Sequence, residues 1–86
     1  MAKLKPEDAL LNAQMSQRVK ELRTALYESP SEFTAKYILD RQTLHRWENP
    51  KQQGPSIHSV RKFCDLIGIS LKDFFDSDLF NERLPK

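Results

Sequence analysis

Arginine and glutamine are the side chains best equipped to read the edge of a base pair, because a guanidinium presents a planar fork of donors and a carboxamide a donor beside an acceptor. Arg41, Gln42 and Arg46 fall within about two helical turns of one another, in the stretch Arg41-Gln42-Thr43-Leu44-His45-Arg46-Trp47-Glu48. In the same stretch Leu44 and Trp47 stand three apart and share an apolar face. A helix built this way offers forked polar tips on one strip and a hydrophobic clamp on the other. Three polar side chains on an isolated helix are most often a solvated face, so the reading depends on the elements around them.

Those elements are helical, and no segment alternates as a strand would. Val19, Leu22 and Leu26 recur at helical spacing, Leu11 and Met15 continue the stripe upstream, and no proline or glycine intervenes between Pro6 and Glu28. Pro6 suits a first helical turn, and the first helix is expected to run to about Tyr27. Ser29-Pro30-Ser31-Glu32 spells a capping box that starts a short second helix with Phe33 and Tyr37 as its buried pair. Asp40 can cap the third helix, which Pro50 ends near Glu48. Lys51 to Pro55 is expected to be an exposed loop. Ser56 caps a fourth helix with Ile57, Val60, Phe63, Cys64 and Ile67 on its apolar face, and Gly68 supplies a left-handed stop. Ser70 opens a last short helix carrying Phe74 and Phe75, and beyond Asp76 the chain is polar apart from Leu79, Phe80 and Leu84.

At 86 residues, with eight aromatic side chains, 38% hydrophobic and 30% charged, the sequence has material for one small all-α domain. Cys64 is the single cysteine, which excludes an internal disulfide and a paired-thiol redox or zinc site and fits a reducing cytosol. No run of about eighteen apolar residues is present for a membrane span, and no leader pattern is seen. His45 and His58 lack companions at metal-ligand spacing and are expected at the surface. Neither a nucleophile with a base, nor a pair of carboxylates on a cleft, nor a glycine-rich phosphate loop appears, Gly54 and Gly68 being the only glycines, so an enzyme is not expected and no cofactor is implied. The formal charge is +2, with its basic excess in the middle: nine Lys and Arg against five Asp and Glu from Arg18 to Lys62 make +4, three against five from Phe63 onward make −2, and the first seventeen residues balance. A basic body facing phosphate with an acidic tail has this distribution.

The order of these helices, with Arg46-Trp47-Glu48 closing the third and Pro55-Ser56-Ile57, Val60, Phe63-Cys64, Leu66-Ile67-Gly68-Ile69-Ser70-Leu71 and Phe74-Phe75 following, resembles the Cro and C1-repressor type (XRE) helix-turn-helix family over roughly Arg18 to Phe75. The resemblance implies a compact five-helix lambda-repressor-like DNA-binding domain at 18–75, an N-terminal extension at 1–17 that continues helix 1, and a C-terminal tail at 76–86. It implies a transcriptional regulator, a repressor in the first instance, acting in the cytoplasm at the nucleoid. The implied partner is double-stranded DNA, with a homodimer on a palindromic operator. Arg41, Gln42 and Arg46 then fall on base-contacting positions, and Ser29, Ser31, Thr43, His45, Asn49 and Lys51 on or near the phosphates. The matching structural clamp pairs Arg23 with Glu48 beside Leu44 and Trp47. The family's dimers often use the surface after helix 4, where Phe74, Phe75, Leu79, Phe80 and Leu84 are the candidates.

Three residues depart from the family pattern. Pro30 stands where a phosphate-touching glutamine is usual, so that contact is expected to be lost or to shift to Ser29 or Ser31. Ile38 replaces the turn's glycine, which is costly at positive φ and predicts a reshaped turn between helices 2 and 3. Asp40 replaces a hydroxyl residue near the backbone, where its charge repels phosphate. These departures favour an alternative, a protein-interaction module such as an antitoxin or adaptor for which DNA is secondary.

Overall fold

A computed structural model describes residues 5–52 and 54–82, apart from the side chain of Gln52. Among these residues there are five α-helices and no strand: α1 (Pro6–Leu26), α2 (Pro30–Tyr37), α3 (Arg41–Glu48), α4 (Ile57–Ile67) and α5 (Leu71–Phe75). Short 3₁₀ turns lie at Pro50–Gln52 and Asp78–Asn81. The all-α, five-helix expectation holds. Pro6 occupies the first turn of α1, whose Glu7 and Asp8 complement the positive end of the helix dipole. Ser56 and Ser70 cap α4 and α5 by accepting from the amides of Ser59 and Asp73 at 3.1 and 3.0 Å.

Two expected caps are not made. Ser29 and Asp40 sit at the N-cap positions of α2 and α3, but neither side chain bonds a first-turn amide. The start of α2 rests on the preset φ of Pro30 and on the backbone bond from Phe33 N to the Ser29 carbonyl, 3.2 Å. The Asp40 carboxylate instead accepts from the Thr43 hydroxyl at 3.5 Å.

The core is Met15, Val19, Phe33, Leu44, Trp47, Val60, Phe63, Cys64 and Phe74. Phe63 is its centre, meeting Phe33 of α2 at 5.9 Å, Trp47 of α3 at 6.3 Å and Phe74 of α5 at 6.2 Å between ring centroids. One ring therefore ties four helices together. Leu11 (43% exposed) and Leu26 (48%) lie on the α1 stripe yet outside this core. The core covers only the middle of the stripe, burying Met15 and Val19 and partly burying Leu22. Ile57, expected inside, is half exposed in the first turn of α4.

The described parts of both terminal segments, 5–17 and 76–82, pack on the fold. Residues 6–17 are the first half of α1 and bury Gln14, Met15 and Ser16. After α5 the chain turns back onto α1, where Gln14 Nε2 donates to the carbonyls of Leu79 (2.6 Å) and Glu82 (3.2 Å). Arg18 holds the end of α5, donating to the carbonyls of Phe74 (2.7 Å), Asp73 (3.0 Å) and Asp76 (3.4 Å). These carbonyls lie at the C-terminal end of α5, where a helix supplies few donors of its own, and that of Asp73 also accepts from the Asp76 amide at 3.3 Å. The expected dimer surface is accordingly revised: Phe74 is fully buried, and Phe75, Leu79 and Phe80 are half-buried, with both phenylalanines packed against the protein's own core. Leu84 lies outside the described residues.

At the turn between α2 and α3 the isoleucine takes the conformation that a glycine favours. Ile38 adopts φ 52°, ψ 51°, the left-handed conformation, with its side chain 93% exposed. α4 ends in the same way at Gly68, φ 79°, ψ 34°. In both, two successive amides converge on one carbonyl: Ile38 and Leu39 on Thr34, Gly68 and Ile69 on Cys64. One helix end uses glycine, and the other imposes the same geometry on a β-branched residue.

Candidate nucleic-acid interface

At about 100° per residue, Arg41, His45, Gln42 and Arg46 span an arc of roughly 140° on α3, and Leu44 and Trp47 lie on the opposite side. All four polar residues are exposed. Leu44 and Trp47 are 1% and 5% exposed, the indole edge-on to Phe63 at 85°. An amphipathic pattern read from the sequence is thus realised by tertiary packing. Trp47 is a clamp and is too deeply buried to stack on a base.

The far end of α3 is fixed by Arg23. Its Nε donates to Glu48 Oε2 at 2.9 Å and its Nη2 to Glu48 Oε1 at 3.0 Å, a bidentate pair. Its Nη1 donates to the carbonyls of Tyr27 (3.2 Å) and Glu28 (2.6 Å), so the same guanidinium also closes the α1–α2 connection. The Glu48 hydrogen bond holds the Arg23 guanidinium above its ordinary pKa, with Coulombic attraction to Glu48 assisting and desolvation opposing. Arg23 is 4% exposed, and the pair supplies the charge compensation that such burial requires.

Around the exposed arc, hydroxyls hold two of the arginines. Arg41 Nη1 donates to Ser31 Oγ at the start of α2, and Arg46 Nη2 reaches Thr43 Oγ1 at 3.4 Å. Ser31 and Thr43, assigned to phosphate by the resemblance, are therefore engaged by the very side chains assigned to bases. Ser29 is half-buried. Asn49 Oδ1 accepts from the Lys51 amide at 3.0 Å and steers the chain into the 3₁₀ turn, on which Lys51 is exposed.

The segment after that turn is not the exposed loop expected from the sequence. Pro55 is buried, and Gly54, at φ 70°, lies against α1 so closely that a Cβ would stand 3.3 Å from Ser16 Oγ and 3.5 Å from Asn12 Cβ. Gln53 lies outside the described residues. Between α3 and the start of α4 is a cleft of about 160 Å³ lined by Arg46, Trp47, Gly54, Ser56 and Ser59.

Arg61, Lys62 and His58 are exposed on α4 and His45 is exposed on α3, and no group of three metal-ligating side chains occurs among the described residues. Cys64 is 1% exposed, and desolvation, aided by the charge of Asp65, pushes its thiol pKa up. That is the opposite of an activated thiolate. None of the described helices is long and apolar enough to cross a membrane. No family model, curated protein or solved structure matches the chain.

The sequence pattern does not disclose Arg18 or Gln14 as ties. Their partners are backbone carbonyls 55 to 68 residues away, and a carbonyl has no signature in side-chain spacing.

Proposed function

We propose that the protein is a sequence-specific regulator of transcription, a repressor of the Cro and C1 type, that inserts α3 into the major groove of double-stranded DNA. The observation that carries this reading is the exposed arc of Arg41, Gln42, His45 and Arg46 on a helix pinned on its other side by Leu44, Trp47 and the Arg23–Glu48 fork. A helix of about 10 to 12 Å diameter fits a groove about 12 Å wide. Arg41 and Arg46 read guanines and Gln42 an adenine, each bidentate contact contributing about 1 to 3 kcal/mol of discrimination. His45, Lys51 and the hydroxyls at the start of α2 face phosphates, which fix register without reading sequence. A two-fold dimer then spans half-sites about 34 Å apart in a lambda-repressor-like arrangement.

Fluorescence anisotropy against random duplex at several salt concentrations tests this. The logarithm of the association constant falls with that of the salt concentration by about 0.9 per phosphate neutralised, so a slope of roughly −3 or steeper is expected. A flat response would falsify the reading and favour the second one, a protein-interaction module. Ile38, an isoleucine 93% exposed and two residues from the exposed Asp40, is the feature that supports that second reading. Selection of bound duplexes from a random pool then returns the half-site and its spacing.

A further inference from the structure

The exposed side of α4 carries an arrangement that the DNA-reading surface does not use. Arg61 and Asp65 stand one turn apart on this face, both exposed, and neither forms an ion pair among the described residues. Ile57, half exposed, lies one turn before Arg61 on the same side. Past the other end of the helix, Ile69 and Leu71 border a cleft of about 350 Å³ that Arg61, Cys64, Asp65 and Ser70 complete. The order along the strip is apolar side chain, cation, anion, apolar-edged cleft.

A strip with that order is complementary to its own reverse. We propose that α4 packs antiparallel on α4 of a second copy of this chain, related by a two-fold axis level with Phe63, the midpoint between Arg61 and Asp65. Each Arg61 then stands level with the other copy's Asp65, giving two ion pairs per dimer. Each Ile57 comes level with the segment after Gly68, where the cleft edged by Ile69 and Leu71 receives it. A parallel arrangement is disfavoured because it sets Arg61 against Arg61 and Asp65 against Asp65. His58 and Lys62 flank the strip and are exposed, so they stay at the rim where water screens them. The contact is isologous, as a closed two-fold dimer requires. One helix face per copy makes a limited contact, so the equilibrium is expected to be concentration-dependent rather than obligate. The inference uses no residue of the α3 arc and stands independently of what α3 binds.

Sedimentation equilibrium on the full chain over roughly a hundredfold range of concentration tests it. The wild type self-associates to a dimer, and R61E and D65R each weaken that association about tenfold or more, because each replaces two attractions by two repulsions. Mixing the two variants restores dimers: the glutamate introduced into one copy then faces the arginine introduced into the other, and the native Asp65 of the first faces the native Arg61 of the second. The double variant R61E/D65R dimerises as the wild type does. Both positions are at the surface, and circular dichroism verifies that each variant keeps its helices. A wild type monomeric throughout, single variants that dimerise unchanged, or a mixture that stays monomeric each overturns the proposal.

Discussion

Replacing Ile38 by glycine should stabilise this protein, although it removes an entire hydrophobic side chain. With 93% of the residue exposed, almost no apolar burial is lost. The left-handed conformation at φ 52° costs a residue with a Cβ about 1 to 2 kcal/mol, and a β-branched residue lies at the upper end. Glycine gives back roughly 0.5 to 1 kcal/mol of this through the greater freedom of its unfolded chain. The net gain is about 1 kcal/mol, or a rise in Tm of roughly 4 to 8 °C for a domain of this size. Gly68 provides the mirror experiment, because it has the same hydrogen-bonding pattern and no atom lies within 4 Å of the place a methyl group would take, so Gly68→Ala should lose about 1 kcal/mol through conformation alone. Urea denaturation of the two variants and of the Ile38→Val control, which keeps the branch and should be neutral, measures all three. Loss of stability in Ile38→Gly would refute the strain argument, and would mean that the isoleucine makes a contact that its exposure denies. Since the turn already has the geometry glycine prefers, the angle between α2 and α3 should be unchanged, and under the proposed function duplex affinity should be retained.

Four further outcomes are expected. Arg23→Ala leaves Glu48 and two carbonyls without their donor and should cost about 2 to 4 kcal/mol by thermal unfolding, far more than any substitution on the exposed arc. Arg46→Ala should relax base preference in a duplex-selection assay while stability stays within about 0.5 kcal/mol of the wild type, because its side chain is exposed and its bond to Thr43 is long. Arg18→Ala should cost about 1 to 3 kcal/mol and should raise amide hydrogen exchange selectively in α5 and the Asp78–Asn81 turn that follows the carbonyls it holds. Because the Cys64 thiol pKa is raised in the fold above its ordinary value of 9.0, the native state retains the proton longer than the unfolded chain; stability is intact below about pH 9 and falls as pH rises beyond it, a decline that Cys64→Ala should abolish.

Helix positions are legible in the amino-acid sequence because their causes are local. Pro30 presets the first turn of α2, Pro50 stops α3, Ser56 and Ser70 cap the helices that follow them, and Gly68 ends α4. The burial of Leu44 and Trp47 opposite Arg41, Gln42 and Arg46 is legible too, since spacing along a single helix dictates which side chains share a face. Tertiary structure alone decides which parts of each stripe are covered. Leu11, Leu26 and Ile57 have core-like spacing and stay partly in water, while Gln14, Ser16 and Arg23 are buried because another segment packs over them. It also decides that the last aromatics close the protein's own core, through carbonyl bonds to Gln14 and Arg18 that join residues far apart in the chain. Ile38 separates the two kinds of cause most clearly. Its local preference opposes a left-handed turn, and the packing of Phe33, Leu44 and Trp47 around Phe63 overrides it, since many buried contacts outweigh one strained dihedral.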